Sequence, residues 1–205
     1  MNDGYLEILN SIASSSPTPG GGSVAALSLA HAHSLAIMVS RLTIKSDKWI
    51  DGHEVANRII SHSDNRITDS ISLADKDALA FDEVMAAYRL PKDEGSINTR
   101  SEAIRNATIE AALAPLETIK SSLVLLLDLK ELSHACNANA LTDLAAAAEL
   151  AHSAAKIAEF NVKINLDYLN GDDVDSIKNE THNTIRDCEN TMLDISTTYT
   201  NRLGW

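Results

Sequence analysis

The sequence predicts an all-α fold: a single-domain bundle of about six helices, some of them long, spanning residues 1–205. Three observations carry that prediction. Apolar residues make up 44% of the chain but aromatics only 4%, with alanine and leucine abundant; that mixture suits close-packed helices better than sheets, which favour β-branched and aromatic residues. Apolar positions recur every three to four residues over long stretches. Short clusters of Gly, Pro, Asn and Asp separate those stretches, and no repeat of fixed period or interdomain linker interrupts them. With 205 residues the chain is long enough to bury one sizeable core.

Residues 4–15 form the first predicted helix, with Tyr5, Leu6, Ile8, Leu9 and Ile12 on one broad face. Pro17-Thr18-Pro19-Gly20-Gly21-Gly22 stops it, and Ser23 is the expected N-cap of the next helix. From Val24 to about Thr43 nearly every residue is apolar or small, as in a helix buried on most sides. Asp51 to Tyr88 carries one long helical rhythm, in which Ile67, Ile71, Ala74, Ala78, Phe81 and Met85 form a stripe. The stretch Leu90–Gly95 breaks it. A helix from about Thr99 to Leu132 contains Pro115, which predicts a kink or a split. Residues 133–141 form a polar corner, a helix runs from about Thr142 to Leu169, and a last polar helix fills 174–201.

The formal net charge is −12, which repels phosphate backbones and anionic membranes, so neither nucleic acid nor a membrane is expected as a partner. The longest strongly apolar run, Leu123 to Leu127, is far too short to span a bilayer. Met1-Asn2-Asp3-Gly4 lacks the basic and apolar regions of a signal peptide. Cys136 and Cys188 stand far apart with no CxxC pairing, which places the chain in a reduced, cytoplasmic compartment. The glycine run lacks the Lys-Ser or Lys-Thr of a Walker loop, and neither GxGxxG, HExxH nor GxSxG occurs. His31 and His33 are two apart and point to different sides of a helix, so no metal site is expected.

Three constellations could carry chemistry. Gly20, Gly21, Gly22 and Ser23 open a helix, so free amides and the positive dipole end converge where the backbone can approach a ligand closely. That suits a carboxylate without using lysine; the same residues also fit a flexible turn before a capped helix. Asp75 and Asp77 flank the apolar stripe of the long helix on opposite sides. Asp77 has Leu73 and Ala74 one turn before it and Ala80 and Phe81 one turn after, so burial should raise its pKa and suit it to proton transfer. A partly exposed aspartate beside Lys76, or a helix–helix salt bridge, fits equally. Positions 143, 147, 150, 154, 158, 161 and 165 form an alanine-rich face with Asp143 at one end and Asn161 and Asn165 at the other. There, capping accounts for Asp143 beside Thr142, and structural pairing for Asn165.

In order and spacing, PTPGGGSVAAL at 17–27, LTI at 42–44, DKDALAFDEVMAAYRLPK at 75–92, NANALTDLAAAA at 137–148 and NVKIN at 161–165 resemble the formiminotetrahydrofolate cyclodeaminase and methenyltetrahydrofolate cyclohydrolase family. The resemblance implies an all-helical homodimer acting on a tetrahydrofolate derivative, with no cofactor beyond that substrate. It implies cyclisation of 5-formiminotetrahydrofolate to the 5,10-methenyl compound with loss of ammonia. The alternatives are hydrolysis of the methenyl compound to 10-formyltetrahydrofolate, or folate binding without catalysis. The family's essential aspartate falls on Asp77, the general acid/base. Gly20 to Ser23 would shape the folate site, Lys92 would steer the glutamate tail, and Asp143 and Asn161 would orient the pterin. Two positions depart from the pattern: Cys136 stands where the family often has glycine, and Thr142 where it usually has serine, retaining a hydroxyl for capping.

Overall fold

The computed structural model describes residues 4–93 and 95–205. Met1 to Asp3 of the amino-terminal stretch and Glu94 of the break after Leu90 lie outside the described residues. Among the described residues every regular element is helical, with no strand: α1 (Tyr5–Ile12), α2 (Gly21–Thr43), α3 (His53–Ser61), α4 (Ser63–Tyr88), α5 (Ile97–Ala135), α6 (Leu141–Leu166) and α7 (Asp172–Leu203). Two short 3₁₀ turns, Asp47–Gly52 and Ala138–Ala140, serve as connectors.

The core lies where α2, α5, α6 and α7 meet. Ala147, Ala148, Ala151, Ala154, Ala155 and Ala158 of α6 are fully buried, and their small side chains let α2 and α5 approach α6 closely. The spaces between are filled by Leu29 and Val39 from α2 and by Leu125, Leu126, Leu129 and Leu132 from α5. Truncating any one of these leucines to alanine costs about 2–5 kcal/mol. By length and composition α2 could cross a membrane, but most of it is buried inside the bundle. Its apolar character comes from core packing on most sides, as the sequence implies.

Four expectations are corrected. The single long rhythm of 51–88 breaks at His62 into α3 and α4, so the described residues form seven α-helices rather than about six. Conversely, of the kink or split that Pro115 implies, the split does not occur: α5 is one helix from Ile97 to Ala135. Proline removes the amide that would bond the carbonyl of Ala111, and Asn165 of α6 supplies that donor instead, Nδ2 to O at 2.9 Å. Helix α2 begins at Gly21 with Gly20 as its N-cap, so Ser23 is inside the first turn and does not cap it. Thr142 is likewise inside α6, whose N-cap is Ala140 with no side-chain cap, while Asp143 sits in the first turn where the dipole favours a carboxylate.

The polar corner is pinned from two sides. The Asn137 amide donates to Thr43 Oγ1 at 3.1 Å and its Nδ2 to the Leu42 carbonyl at 3.2 Å. Arg202 of α7 donates to the carbonyls of Ser133 and Cys136. Cys136 is buried with φ −67 and ψ 165, an ordinary extended conformation that needs no glycine.

Candidate active site

A cleft of about 310 Å³ opens where the start of α2 meets α4, α5 and α6. Its walls are Pro17, Thr18 and Gly20–Gly22, then Asp77, Phe81 and Val84 of α4, Ala111 of α5, and Asn161, Ile164 and Asn165 of α6. That volume lies at the small end of the range for ligand pockets.

Helix α2 has no side-chain cap from its own sequence and no acidic residue in its first turn. Asp77 fills that vacancy from α4. Ser23 Oγ donates to Asp77 Oδ2 at 3.0 Å and to the Ala74 carbonyl at 3.1 Å, and the Ser23 amide also donates to the Asp77 carboxylate. Ser23 is 1% exposed, so this anchor is shielded from water. Gly22 is required by the closeness of that approach. A β-carbon there would lie 2.6 Å from Asp77 Cγ and 2.7 Å from Oδ2, and closer still to Oδ1. No side chain fits at that distance, so the carboxylate rests directly on the helix backbone.

Two effects oppose each other at Asp77. Burial disfavours the charged form and raises its pKa, while the Ser23 side-chain and backbone hydrogen bonds lower it; burial wins, so the net shift is upward. Asp77 is half-buried, whereas Asp75, two residues earlier, is exposed. The result is a carboxyl group that is held in place and exchanges its proton closer to neutrality than an ordinary aspartate.

Gly20, Gly21, Gly22, Ser23, Asp77 and Asn161 therefore converge. Gly21 faces Asn161, with a β-carbon position 3.7 Å from Nδ2. Asn161 Nδ2 donates back to the Ile157 carbonyl at 2.9 Å. Asn165 joins the same wall while holding the Ala111 carbonyl. Two nominated residues stand elsewhere. Asp143 is eighteen residues before Asn161 on α6, about 27 Å along the axis, so one chain does not bring both to this cleft. Lys92 is exposed in the connection between α4 and α5, beyond the cleft's end.

The sequence reading missed Phe81, Val84, Ala111 and Ile164 as cleft walls. Phe81 belongs to the apolar stripe that reads as core, yet it is 37% exposed. The signal was the spacing from Asp77: Phe81 and Val84 follow it by four and seven residues and so share its face. Nothing in its local sequence marks Ala111. Among the described residues no group of three or more His, Cys, Asp or Glu side chains is arranged to hold a metal ion.

Residues 5–184 match the formiminotransferase-cyclodeaminase family. The chain belongs to that family. It is 32% identical over 170 residues to a methenyltetrahydrofolate cyclohydrolase of Methylorubrum extorquens, covering 80% of this chain and 79% of that one. It is 34% identical over 171 residues to the formimidoyltransferase-cyclodeaminase of Mus musculus, where the match covers 83% of this chain but 31% of the longer enzyme. Among solved structures, a formiminotetrahydrofolate cyclodeaminase from Thermotoga maritima superposes with a TM-score of 0.87 at 28% identity, over 98% of this chain and 96% of that one. The span matched to the family, residues 5–184, includes every residue that lines the cleft.

Proposed function

We propose that the chain is a folate one-carbon enzyme of one cyclodeaminase-like domain, which cyclises 5-formiminotetrahydrofolate to 5,10-methenyltetrahydrofolate with release of ammonia. The observation that carries this reading is the half-buried Asp77 carboxylate, held by Ser23 against glycine backbone inside a cleft. In the reaction, the folate side-chain nitrogen N10 adds to the formimino carbon bound at N5. The Asp77 carboxylate takes the N10 proton and passes it to the exocyclic nitrogen. With one further proton from solvent that nitrogen leaves as ammonia, and the new N10–carbon bond remains in a cationic methenyl bridge. The carbon keeps its oxidation level, so the chemistry calls for proton transfer alone and for no cofactor beyond the tetrahydrofolate. A carboxylate beside the carbon also stabilises the positive charge that develops there.

A second reading uses the same atoms. Water adds to the methenyl carbon and Asp77 takes one of its protons; that proton passes to N5, the N5–carbon bond breaks, and the remaining hydroxyl proton leaves to solvent as the formyl carbonyl forms on N10. The match along 79% of the Methylorubrum extorquens cyclohydrolase supports this reading. The Thermotoga maritima cyclodeaminase, matched over 96% of its length, supports the first. Ammonia release measured against loss of methenyl absorbance separates the two.

Gly20 to Gly22 and Asn161 would contact the pterin end, with Ser23 behind them holding Asp77, and the exposed face of Phe81 offers it an apolar wall. Asp143 could reach a cleft only from a second copy, and a homodimer is part of this proposal. Tyr5, Leu6, Ile8 and Leu9 of α1 lie at the surface, apolar area that a partner would cover; a solution mass of one chain would end that part. The free, buried Cys136 and Cys188 suit a reduced cytoplasm. The decisive variant is Asp77→Asn, which keeps the size and can still accept from Ser23. A loss of about 100-fold or more in kcat on both folate substrates is expected, the usual range for a general acid/base. Near-wild-type turnover by a folded Asp77→Asn protein would remove Asp77 from the chemistry.

A further inference from the structure

A tetrahydrofolate carries anionic glutamate at the end opposite its pterin, and a chain of net charge −12 needs a local cation to receive it. The helical geometry of the cleft shows where that cation stands. On α4 the cleft wall passes through Asp77, Phe81 and Val84, and Tyr88 continues the same stripe. Eleven residues turn a helix through about three full turns, so Tyr88 projects from nearly the same side as Asp77, about 16 Å further along the axis. On α5, Arg100 precedes the cleft residue Ala111 by eleven residues and projects from its side in the same way. The two meet. Arg100 Nη2 donates to the Tyr88 carbonyl at 3.0 Å, and the guanidinium lies 5.8 Å from the centre of the Tyr88 ring. At this level α6 has already ended, at Leu166, so the Arg100–Tyr88 pair stands beyond the lined part of the cleft, on its α4–α5 side.

The charges of the neighbouring cations are used differently. Arg105 is engaged by both carboxylate oxygens of Asp173, at 2.8 and 3.0 Å, and donates to the Asn170 carbonyl. Among the described residues no carboxylate pairs with Arg100, and its Nε is enclosed without an acceptor. An arginine in this state is under-satisfied, and an incoming carboxylate displaces no internal ion pair. The reach also agrees. From the reacting carbon through the aminobenzoyl ring to the γ-carboxylate of the first glutamate is about 12 Å by ordinary bond lengths. Adding a contact of roughly 3 Å to Asp77 brings that carboxylate to the level of Arg100.

Resting on the folate reading above, we infer that Arg100, braced on Tyr88, receives a glutamate-tail carboxylate and so selects glutamylated folates. Lys92, nominated from the sequence, lies past the end of α4 and is exposed. A purely structural role for Arg100, capping the last carbonyls of α4, is the competing account. Substrates with and without the tail separate the two. Arg100→Met keeps the apolar stem on Tyr88 and removes the charge, while Arg100→Lys keeps the charge and loses the fork. With 5-formimino- and 5,10-methenyltetrahydrofolate as substrates, each as mono- and triglutamate, Arg100→Met should raise KM by about 10–100-fold with kcat nearly unchanged on the one turned over, and Arg100→Lys by less. With the corresponding tetrahydropteroates, which have no glutamate, both variants should match wild type. Equal effects on tailed and tailless substrates, or none on either, would overturn the inference and leave the folate reading intact. A wild-type protein that turned over none of these compounds, with none of them raising its melting temperature, would sink both.

Discussion

Gly22→Ala is the sharpest test of how the site is built, because local and tertiary physics disagree on its outcome. In a helix, alanine is favoured over glycine by up to about 1 kcal/mol, so local propensity alone expects a more stable protein. The added β-carbon would stand 2.6 Å from Asp77 Cγ. An ordinary carbon contact is about 3.5 Å, so the carboxylate must retreat by about 1 Å. That shift stretches the 3.0 Å bond from Ser23 Oγ, at a cost of about 1–3 kcal/mol for a shielded charged acceptor. The first only partly offsets the second, and net stability should fall by no more than about 2 kcal/mol. Activity has no such compensation. A displacement of 1 Å in a reacting group costs about 100-fold in rate. Gly21→Ala is the internal control, since its β-carbon meets Asn161 Nδ2 at 3.7 Å, an ordinary contact. It leaves Asp77 seated, so kcat should stay within a few-fold, with any crowding of the pterin falling on KM, and stability should gain up to about 1 kcal/mol. The assay is kcat and KM, read separately, on methenyl- and formiminotetrahydrofolate, alongside denaturant melts of all three proteins. If Gly22→Ala retained wild-type turnover, or if the two alanine variants lost activity equally, the close seating of Asp77 on the α2 backbone would not be what the site depends on.

Two further outcomes follow from buried groups outside the reaction. His33 is 5% exposed, beside Arg66, and burial followed by that positive charge lowers its pKa to about 4. Its neutral form is favoured in the fold, so its contribution is intact above pH ~6.5 and is lost as pH falls from there towards 4, about 2–3 kcal/mol by pH 4.5. Urea melts at pH 7 and 4.5 should show His33→Leu losing less stability than wild type by that amount, and parallel losses would contradict the assignment. At the Pro115 crossing, Asn165→Leu should cost about 1–3 kcal/mol by stranding the Ala111 carbonyl, and much less in a Pro115→Ala background, where a backbone amide is restored; an additive cycle would mean Asn165 does not serve that carbonyl.

The helices were legible because their signals are local: the spacing of Ile67, Ala74 and Phe81 or the alanines of α6 repeats within a few residues. Where the reading failed, the deciding partner was distant in sequence. Pro115 implied a kink or a split because proline orphans a carbonyl; the helix is not split, and the donor that serves the carbonyl is 54 residues away from it on α6. Ser23 read as a helix cap because serine at that place usually is one. Its hydroxyl serves Asp77, again 54 residues away, and the dipole end of α2 is met by that carboxylate from across the bundle. The glycine run and the aspartate pair, which look like two separate candidates along the chain, are therefore halves of one device. The Ser23 amide and hydroxyl hold the acid, Gly22 has no side chain because the acid occupies its place, and desolvation at the meeting point raises its pKa. Neither half has the property alone. An aspartate without the glycines would be turned out towards water, where burial no longer perturbs it, and the glycines without the aspartate would be an uncapped helix start. Dependence of each on the other explains why the composition of either segment left its role open, and why the two acquire a chemical meaning only once α2 and α4 are placed side by side.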